Sequence, residues 1–404
     1  MGEMGWDAFQ RLDLKQKSES FNIDRKPYHV LVAQQFDRQF LEDLGDLATF
    51  IRQIAKTKTG MDFLQKQLAH KTAMLYFSQP STRTFLSFHS ACQILGMHTV
   101  EVRNTSTSSE IKGETQEDSV RTFSSFSDVI IMRSAIGGLA EKMAWVLSNT
   151  DRPVPIINAG SGKDQHPTQA LLDIYTLRRS FEKRGGIDHK KVVFVGDLAR
   201  GRTVRSLAYL LTNYVGVKQY FIAPPQLQIG EDIQGILRKA GVDFELGSDL
   251  GKYVAEADAI YMTRIQDEWD KKKGESRKIN IKKYYFTKEH LSRLPAHSVI
   301  MHPLPRRLEI DIAVDCDPRA VYWRQVRNGM WIRVALLAFI FGCGNSMLNN
   351  FTKVKHPAVP TRRGRDRASL LAPCSAIALR DGESAELALP ALPTRRGRRR
   401  KVKK

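Results

Sequence analysis

Short apolar runs alternate with longer amphipathic stretches along most of the chain. Apolar residues recur at helical spacing in residues 40–54, 84–95 and 203–211. Seven runs have the length and composition of buried β-strands, at residues 72–77, 129–132, 155–158, 192–195, 220–223, 259–262 and 299–301. This alternation predicts an α/β fold of two doubly wound domains, each a parallel β-sheet flanked by helices.

Polar residues are concentrated directly after six of these runs. They are found at residues 81–84, 133, 160–169, 197–202, 263–266 and 302–306. In parallel α/β sheets, ligands bind at the carboxyl ends of the strands, where such residues lie. Six clusters in register with six strand ends therefore predict a shared cleft between the two lobes.

The first cluster has the donor chemistry of a phosphate site. Its residues are Ser81, Thr82, Arg83 and Thr84. They open a predicted helix, where free backbone N–H groups and the helix dipole favour an anion, and their hydroxyl and guanidinium groups add suitable donors. The alternative for this cluster alone is a helix cap beside a surface arginine. The neighbouring strand ends carry Arg133 and His166, which favours the phosphate site.

His166 and Gln169 lie one helical turn apart. Together they offer a donor to a carbonyl group and an acceptor to an amide. The alternative is a packed structural histidine next to a helix cap. Neither residue has carboxylate or thiolate companions at metal-ligand spacing, so no metal site is predicted here.

The second half of the chain carries Arg202, Arg264 and Arg306 at strand ends. Bidentate arginines recognise carboxylates, so a dicarboxylic small molecule is the predicted second ligand. A polar loop with Ser108 and Lys112 is either a solvated surface loop or a lid that brings a cation to the site.

Composition and charge narrow the remaining possibilities. The 404 residues carry a net charge of +20, but residues 352–404, with 15 basic and four acidic residues, contribute +11 of it. Because this stretch is poor in core-forming residues, we rate a solvated, disordered tail above a nucleic-acid-binding segment. The four cysteines show no CxxC pair. Without a signal-peptide core or a bilayer-length apolar run, we expect a cytoplasmic protein with no membrane partner.

These residues stand in motifs that resemble a known family. The strings are Ser81-Thr-Arg-Thr84, Lys112-Gly-Glu-Thr115, His166-Pro-Thr-Gln169, Gly201-Arg-Thr-Val204, Met262-Thr-Arg-Ile-Gln266 and His302-Pro-Leu-Pro-Arg306. They follow the order found in the carbamoyltransferases, and residues 29–348 resemble the aspartate carbamoyltransferases among them. The resemblance implies carbamoyl transfer from carbamoyl phosphate to the amine of L-aspartate in pyrimidine biosynthesis, without cofactor or metal. The alternatives are a carbamoyltransferase acting on ornithine or another amino acid, and a non-catalytic scaffold subunit of this fold.

The resemblance also assigns roles to the matching residues. The carbamoyl phosphate group comprises Ser81, Thr82, Arg83, Thr84, Arg133, His166 and Gln169. The aspartate group comprises Arg202, Arg264 and Gln266, with Leu304 and Pro305 shaping the cleft through their backbone. Ser108 and Lys112 would enter the active site of a neighbouring subunit in a homotrimer. The expected catalytic residues are Thr84, Lys112, Arg133 and His166.

Four segments follow from the same resemblance. A polar leader (1–28) precedes a carbamoyl-phosphate-binding domain (29–168) and an aspartate-binding domain (169–327), and a basic tail covers 349–404. A C-terminal helix at residues 328–348 would return to the first domain and complete it. Association with a regulatory chain or a dihydroorotase, and control by nucleotides, are left open.

Three positions depart from the family pattern. Phe85 stands where arginine is usual, His89 where glutamate is usual, and Trp269 where an arginine often orders the aspartate-side loop. On the predicted mobile loop, Ile111 precedes a single lysine, Lys112. None of these changes removes a direct phosphate ligand, but Phe85 and Trp269 bear on contacts between subunits or domains.

Overall fold

The computed structural model describes residues 4–23, 26–103, 113–162, 165–270, 272, 274 and 279–351. Within these ranges the strands are β1 (Asn22–Ile23), β2 (Lys26–Pro27), β3 (Thr72–Phe77), β4 (His98–Val102), β5 (Val129–Ser134), β6 (Ile156–Ser161), β7 (Lys191–Val195), β8 (Lys218–Ile222), β9 (Phe244–Gly247), β10 (Ala259–Met262) and β11 (Val299–Met301). The seven predicted strands correspond to β3, β5, β6, β7, β8, β10 and β11.

Two parallel sheets confirm the α/β prediction. The first has the order β4-β3-β5-β6 and the second the order β11-β10-β7-β8-β9. In each sheet the chain builds outwards on one side of its first strand and then returns to the other side. The resulting switch points lie between β3 and β5 and between β7 and β10, where a crevice opens at the carboxyl ends.

The described helices are α1 (Trp6–Arg11), α2 (Leu14–Ser20), α3 (Arg38–Ile54), α4 (Lys58–Leu64), α5 (Thr82–Ile94), α6 (Gln116–Phe126), α7 (Leu139–Ser148), α8 (Pro167–Phe181), α9 (Arg202–Leu210), α10 (Glu231–Lys239), α11 (Leu250–Tyr253), α12 (Lys288–Arg293), α13 (Tyr322–Ile340) and α14 (Gly344–Phe351). Helix α13 packs against α3, α5 and α8, which confirms the predicted return of the C-terminal helix. It begins at Tyr322, earlier than the predicted residue 328.

Helix α8 connects the two sheets and is buried along nearly its whole length. The predicted domain boundary at residues 168/169 falls in its first turn and stays a prediction. Helix α13 crosses α8, and the Asn328 amide donates to the Thr176 hydroxyl at 3.1 Å. The two lobes are therefore connected where helices α8 and α13 pack against each other.

The predicted polar leader is folded onto the first lobe rather than set apart from it. Phe9 and Phe21 are fully buried in a cluster with residues of the first sheet. The Trp145 indole donates to the Met4 carbonyl at 2.9 Å, and Lys17 pairs with Glu141 at 3.2 Å. Two aromatic anchors thus suffice to hold a segment whose other residues are mostly polar.

Neither a membrane-spanning helix nor a metal centre is found in the part of the chain that the structure describes. No helix there is long and apolar enough to cross a bilayer. No group of three or more His, Cys, Asp or Glu side chains there has an arrangement that could hold a metal ion.

Candidate active site

A cleft of about 1000 Å³ lies at the carboxyl ends of both sheets. It is lined by twelve of the fourteen predicted site residues: Ser81, Thr82, Arg83, Thr84, Arg133, His166, Gln169, Arg202, Arg264, Gln266, Leu304 and Pro305. The other two, Ser108 and Lys112, lie outside the described residues. Residues more than two hundred positions apart in the sequence thus share one cavity.

The N-terminus of α5 opens directly into this cleft. Ser81 is the N-cap residue, yet its side chain makes no capping hydrogen bond to the first turn. The alternative interpretation, in which the Ser81 side chain caps the helix, is therefore not supported. Burial and the charge of Arg264 lower the pKa of Arg83 from its ordinary value. The helix end offers free backbone donors beside an exposed guanidinium, which suits a phosphate group.

Arg133 and His166 form the deepest part of the cleft. Arg133 Nη1 donates to the Ala159 carbonyl at 3.0 Å. Within the described chain, Arg133 Nε and His166 Nδ1 are buried without a hydrogen-bond partner. Burial, followed by the charge of Arg202, lowers the pKa of both groups well below their usual values. Buried polar groups of this kind normally have partners, so the site is built for a polar ligand, and His166 meets it as a neutral imidazole.

Gly160 allows the two arginines of this region to approach the backbone. Its φ of +120° is a conformation that side-chain-bearing residues rarely adopt. A Cβ atom here would lie 2.6 Å from Arg133 Nη1 and 3.3 Å from Arg202 Cζ. Arg202 itself donates to the Gly162 carbonyl at 2.8 Å. This glycine near the end of β6 thus provides the space that Arg133 and Arg202 occupy.

The loop after β11 is fixed from within. His302 Nδ1 accepts a hydrogen bond from the Leu304 N–H at 2.7 Å, and His302 Nε2 lies 2.8 Å from the Glu309 carboxylate. Leu304 has a φ of +55°, and its peptide bond to Pro305 is cis. Because the Leu304 N–H is turned inward to the imidazole, the backbone of this loop has a defined orientation at the cleft wall.

On the side of the second lobe, Arg264 already has hydrogen-bond partners within the protein. Its guanidinium pairs with Glu268 on both nitrogens and donates to the Ile265 carbonyl at 2.8 Å. The Gln266 N–H donates to buried Asp197 at 3.0 Å. A substrate carboxylate that binds Arg264 therefore has to share it with Glu268 or displace it.

Arg306, which sequence reasoning grouped with the strand-end arginines, lies outside this cleft. It pairs with Asp315, and its guanidinium stacks over the rings of Tyr322 and Trp323. Its neighbour Arg307 lines the cleft instead and donates to Asp267 at 2.9 Å. The sequence pattern identified the right loop but not the right arginine within it.

Two cleft residues were missed because they lie inside a helix rather than after a strand. Gln325 and Arg333 belong to α13 and line the cleft from below. Arg333 Nη1 donates to the Ser87 hydroxyl at 2.7 Å, and burial lowers the pKa of Arg333 to about 9. The available signal was an arginine and a glutamine within an otherwise buried helical pattern.

The departures after the phosphate motif form an aromatic contact. Phe85 is buried against Phe77 and stacks with His89 at a centroid distance of 5.9 Å. The Arg103 guanidinium lies 4.2 Å from the centre of the Phe85 ring. Trp269, the third departure, lines the cleft on the side of the second lobe.

Comparison with known proteins identifies the family. Residues 28–179 match the model of the aspartate/ornithine carbamoyltransferase carbamoyl-P binding domain, and residues 188–340 match that of the Asp/Orn binding domain. The chain belongs to the aspartate/ornithine carbamoyltransferase family. This confirms the family resemblance that the six motifs indicated.

Relatives within this carbamoyltransferase family are similar over most of their length. Aspartate carbamoyltransferase 3, chloroplastic, of Pisum sativum is 42% identical over 333 residues, which cover 80% of this chain and 79% of the relative. The aspartate carbamoyltransferase catalytic subunit of Vibrio cholerae is 43% identical over 275 residues, 68% of this chain and 86% of the relative. The crystal structure of Trypanosoma cruzi aspartate transcarbamoylase with carbamoyl aspartate and phosphate is 32% identical, with a TM-score of 0.70, and covers 77% of this chain and 95% of that one.

Proposed function

We propose that this protein transfers the carbamoyl group of carbamoyl phosphate to the amine of L-aspartate, giving N-carbamoyl-L-aspartate and phosphate in pyrimidine biosynthesis. The observation that carries the proposal is the single cleft that unites the α5 N-terminus with Arg133, His166 and Arg264. The relatives named aspartate carbamoyltransferase support it. The T. cruzi enzyme, moreover, binds carbamoyl phosphate together with aspartate.

The reaction follows from the charges in the cleft. The neutral amine of aspartate attacks the carbonyl carbon, and the developing oxyanion is met by Thr84, Arg133 and neutral His166. The C–O bond to phosphate then breaks, the attacking nitrogen gives its extra proton to the departing phosphate, and the phosphate remains at the N-terminus of α5 beside Arg83. Donors that are already in place when charge develops lower the barrier, and loss of one of them costs on the order of 10²-fold in turnover. Holding both substrates in one cleft removes much of the entropic cost of their encounter.

The aspartate side supports an acidic second substrate. Arg264 and Arg202 present guanidinium groups to the cleft, and Arg307 adds a third. Guanidinium groups recognise carboxylates in bidentate geometry. The side chain of ornithine is cationic at neutral pH, so these arginines would repel it.

The test is to mix the purified protein with carbamoyl phosphate and either L-aspartate or L-ornithine, and to follow phosphate release and the carbamoylated product. We expect turnover with aspartate and none above background with ornithine. A sample without amino acid measures spontaneous decomposition of carbamoyl phosphate. Turnover with ornithine alone would overturn the substrate assignment, and none with either would favour the scaffold alternative.

The homotrimer with shared active sites remains part of this proposal. Its support is the motif that contains Lys112, since Ser108 and Lys112 lie outside the described residues. Inactive Lys112→Ala and Arg133→Ala proteins, mixed under conditions of subunit exchange, would regain activity if the two residues act across an interface. No recovery, despite exchange and a trimeric mass by light scattering, would contradict site sharing.

The cytoplasmic location stays a prediction. The P. sativum relative, by contrast, is described as chloroplastic. Fractionation of the native cells, followed by immunodetection of the protein, is the direct measurement.

A further inference from the structure

A fully buried carboxyl group joins the two sides of the cleft from below. Asp173 on α8 accepts hydrogen bonds at Oδ1 from Gln169 Nε2 at 2.9 Å and from Gln325 Nε2 at 2.6 Å. Its Oδ2 accepts from the Tyr261 hydroxyl at 2.7 Å. Three elements, α8, α13 and β10, thus converge on one carboxyl group that does not itself line the cleft.

We propose that Asp173 is a positioning residue that fixes the orientation of the Gln169 amide and thereby selects a carbamoyl group over acyl groups without an amino group. The inference rests on the proposed function and deepens it. It concerns specificity for the group that is transferred.

The orientation follows from hydrogen-bond chemistry. An ionised carboxylate only accepts hydrogen bonds, whereas the two ends of a glutamine amide donate and accept respectively. The Gln169 NH₂ group therefore faces Asp173, and Oε1 is the atom of that amide left to accept from a ligand in the cleft. A carbamoyl NH₂ group needs such an acceptor, and its neighbours Arg133 and Arg83 can only donate.

Gln325 supports the same assignment independently. Its Oε1 accepts from the His302 N–H at 2.9 Å, so its NH₂ group has to be the end that faces Asp173. The charge state agrees, because one oxygen receives two amide donors and the other a hydroxyl. Arg333, which is buried on α13, also favours the ionised form of this carboxyl group.

The carboxylate therefore holds one glutamine toward each substrate. Gln169 lines the carbamoyl side, and Gln325 supports the loop of Leu304 and Pro305 through the backbone of His302. Burial raises the pKa of Asp173 to about 7, against the opposing effect of the three donors and Arg333. Substantial ionisation at neutral pH is consistent with the donor arrangement.

The test is an Asp173→Leu substitution, which keeps a similar volume but removes both acceptor oxygens. The Gln169 NH₂ group then has no acceptor at position 173, so the amide can turn that group toward the cleft, where it meets the carbamoyl NH₂ group. We expect the KM for carbamoyl phosphate to rise on the order of tenfold. One hydrogen bond to the carbamoyl NH₂ group is lost, and two NH₂ groups then face each other. Acetyl phosphate has a methyl group in place of the carbamoyl NH₂ group, so its inhibition constant should change by less than about twofold.

Two further variants show whether Asp173 acts through Gln169. Tyr261→Phe removes a donor to the same carboxyl group without an amide flip, so it should preserve the preference for carbamoyl over acetyl phosphate. Gln169→Ala should abolish that preference, and adding Asp173→Leu to it should have no further effect on the preference.

The outcomes separate this inference from the proposed function. If the wild-type protein does not transfer the carbamoyl group, the proposed function itself is wrong. An active wild-type protein whose Asp173→Leu variant weakens both ligands equally, or neither, would overturn only the positioning role. If Asp173→Leu does not fold, a Gln169→Ala variant that still prefers carbamoyl phosphate would overturn the role equally well.

Discussion

The Arg103 guanidinium lies 4.2 Å from the centre of the ring of Phe85, the buried residue that follows the phosphate motif in the sequence. The family resemblance predicts arginine at position 85 and glutamate at position 89, and the structure has an aromatic and cation–π contact there instead. An arginine in place of Phe85 would occupy a buried site beside Arg103, with His89 rather than an acidic residue one helical turn away. Such uncompensated buried charge is strongly destabilising.

For Phe85→Arg we therefore expect a loss of about 3 kcal/mol in the free energy of unfolding, measured by urea denaturation. Adding His89→Glu should recover at least about 1 kcal/mol, because the new pair is in contact. Leu86→Arg is the matched control: Leu86 is 54% exposed, and the same change there should cost less than about 0.5 kcal/mol. If the double variant is less stable than Phe85→Arg alone, the residues at positions 85 and 89 do not compensate each other, and the prediction is wrong.

The leader offers a second test of stability. Phe9 is buried against Phe21 and next to Trp6. Phe9→Ala should therefore lower the free energy of unfolding by about 3–4 kcal/mol, through lost apolar contact and the cavity left behind. Leu14→Ala, at a 44% exposed position in the same leader, should change it by less than about 0.5 kcal/mol. Equal effects would mean that the leader does not depend on its aromatic anchors.

The sequence predicted the buried strands of both sheets and missed the exposed strands β4 and β9. The predicted runs at 259–262 and 299–301 coincide with β10, a central strand, and β11, an edge strand, and both strands are fully buried. By contrast, β4 and β9 lie at sheet edges and are mostly exposed or half-buried. An exposed edge strand needs no continuous apolar run, so the pattern that indicates a core strand is absent.

The candidate site was predictable where the chemistry follows a strand and not where it arises from packing. Ser81, Arg133 and Arg264 are found this way because sheet topology brings strand ends together. Asp173 and Arg333 are polar residues in the middle of buried helices, and their role depends on which helices cross. The pairing of Arg264 with Glu268, one helical turn further along, depends on loop geometry that residue spacing alone leaves open.

Gly160→Ala is expected to reduce activity more than stability. The added Cβ would lie 2.6 Å from Arg133 Nη1, at a backbone φ of +120°. Arg133 must then shift from the place where it meets the carbonyl group. We expect kcat/KM for carbamoyl phosphate to fall on the order of 10²-fold, as for a displaced oxyanion donor. Steady-state kinetics with saturating aspartate measures the loss.

Gly138→Ala is the control for backbone strain in that experiment. Gly138 has a φ of +72° with nothing within 4 Å of an added Cβ, so alanine is strained there without touching an arginine. It should lower stability by about 1 kcal/mol and leave kcat/KM within about twofold. A loss of activity in Gly138→Ala as large as that in Gly160→Ala would attribute the effect to strain instead of displacement.

The buried carboxyl group of Asp173 makes stability depend on pH with a definite sign. Burial raises its pKa from 3.8 to about 7, while Gln169, Gln325, Tyr261 and Arg333 oppose the shift. From about pH 4 to 7 the unfolded state therefore releases a proton that the folded state retains, so rising pH favours unfolding.

Asparagine at position 173 does not titrate, so the stability of Asp173→Asn relative to wild type should increase between pH 4 and 7 and then level off. The raised pKa of about 7 sets the upper end of this window, and the change across it is on the order of 3 kcal/mol. Urea unfolding of both proteins at pH 4.5, 6 and 8 measures the difference. A difference that is flat over this range, or that grows toward acid, would mean that Asp173 is ionised in the folded state at all these pH values.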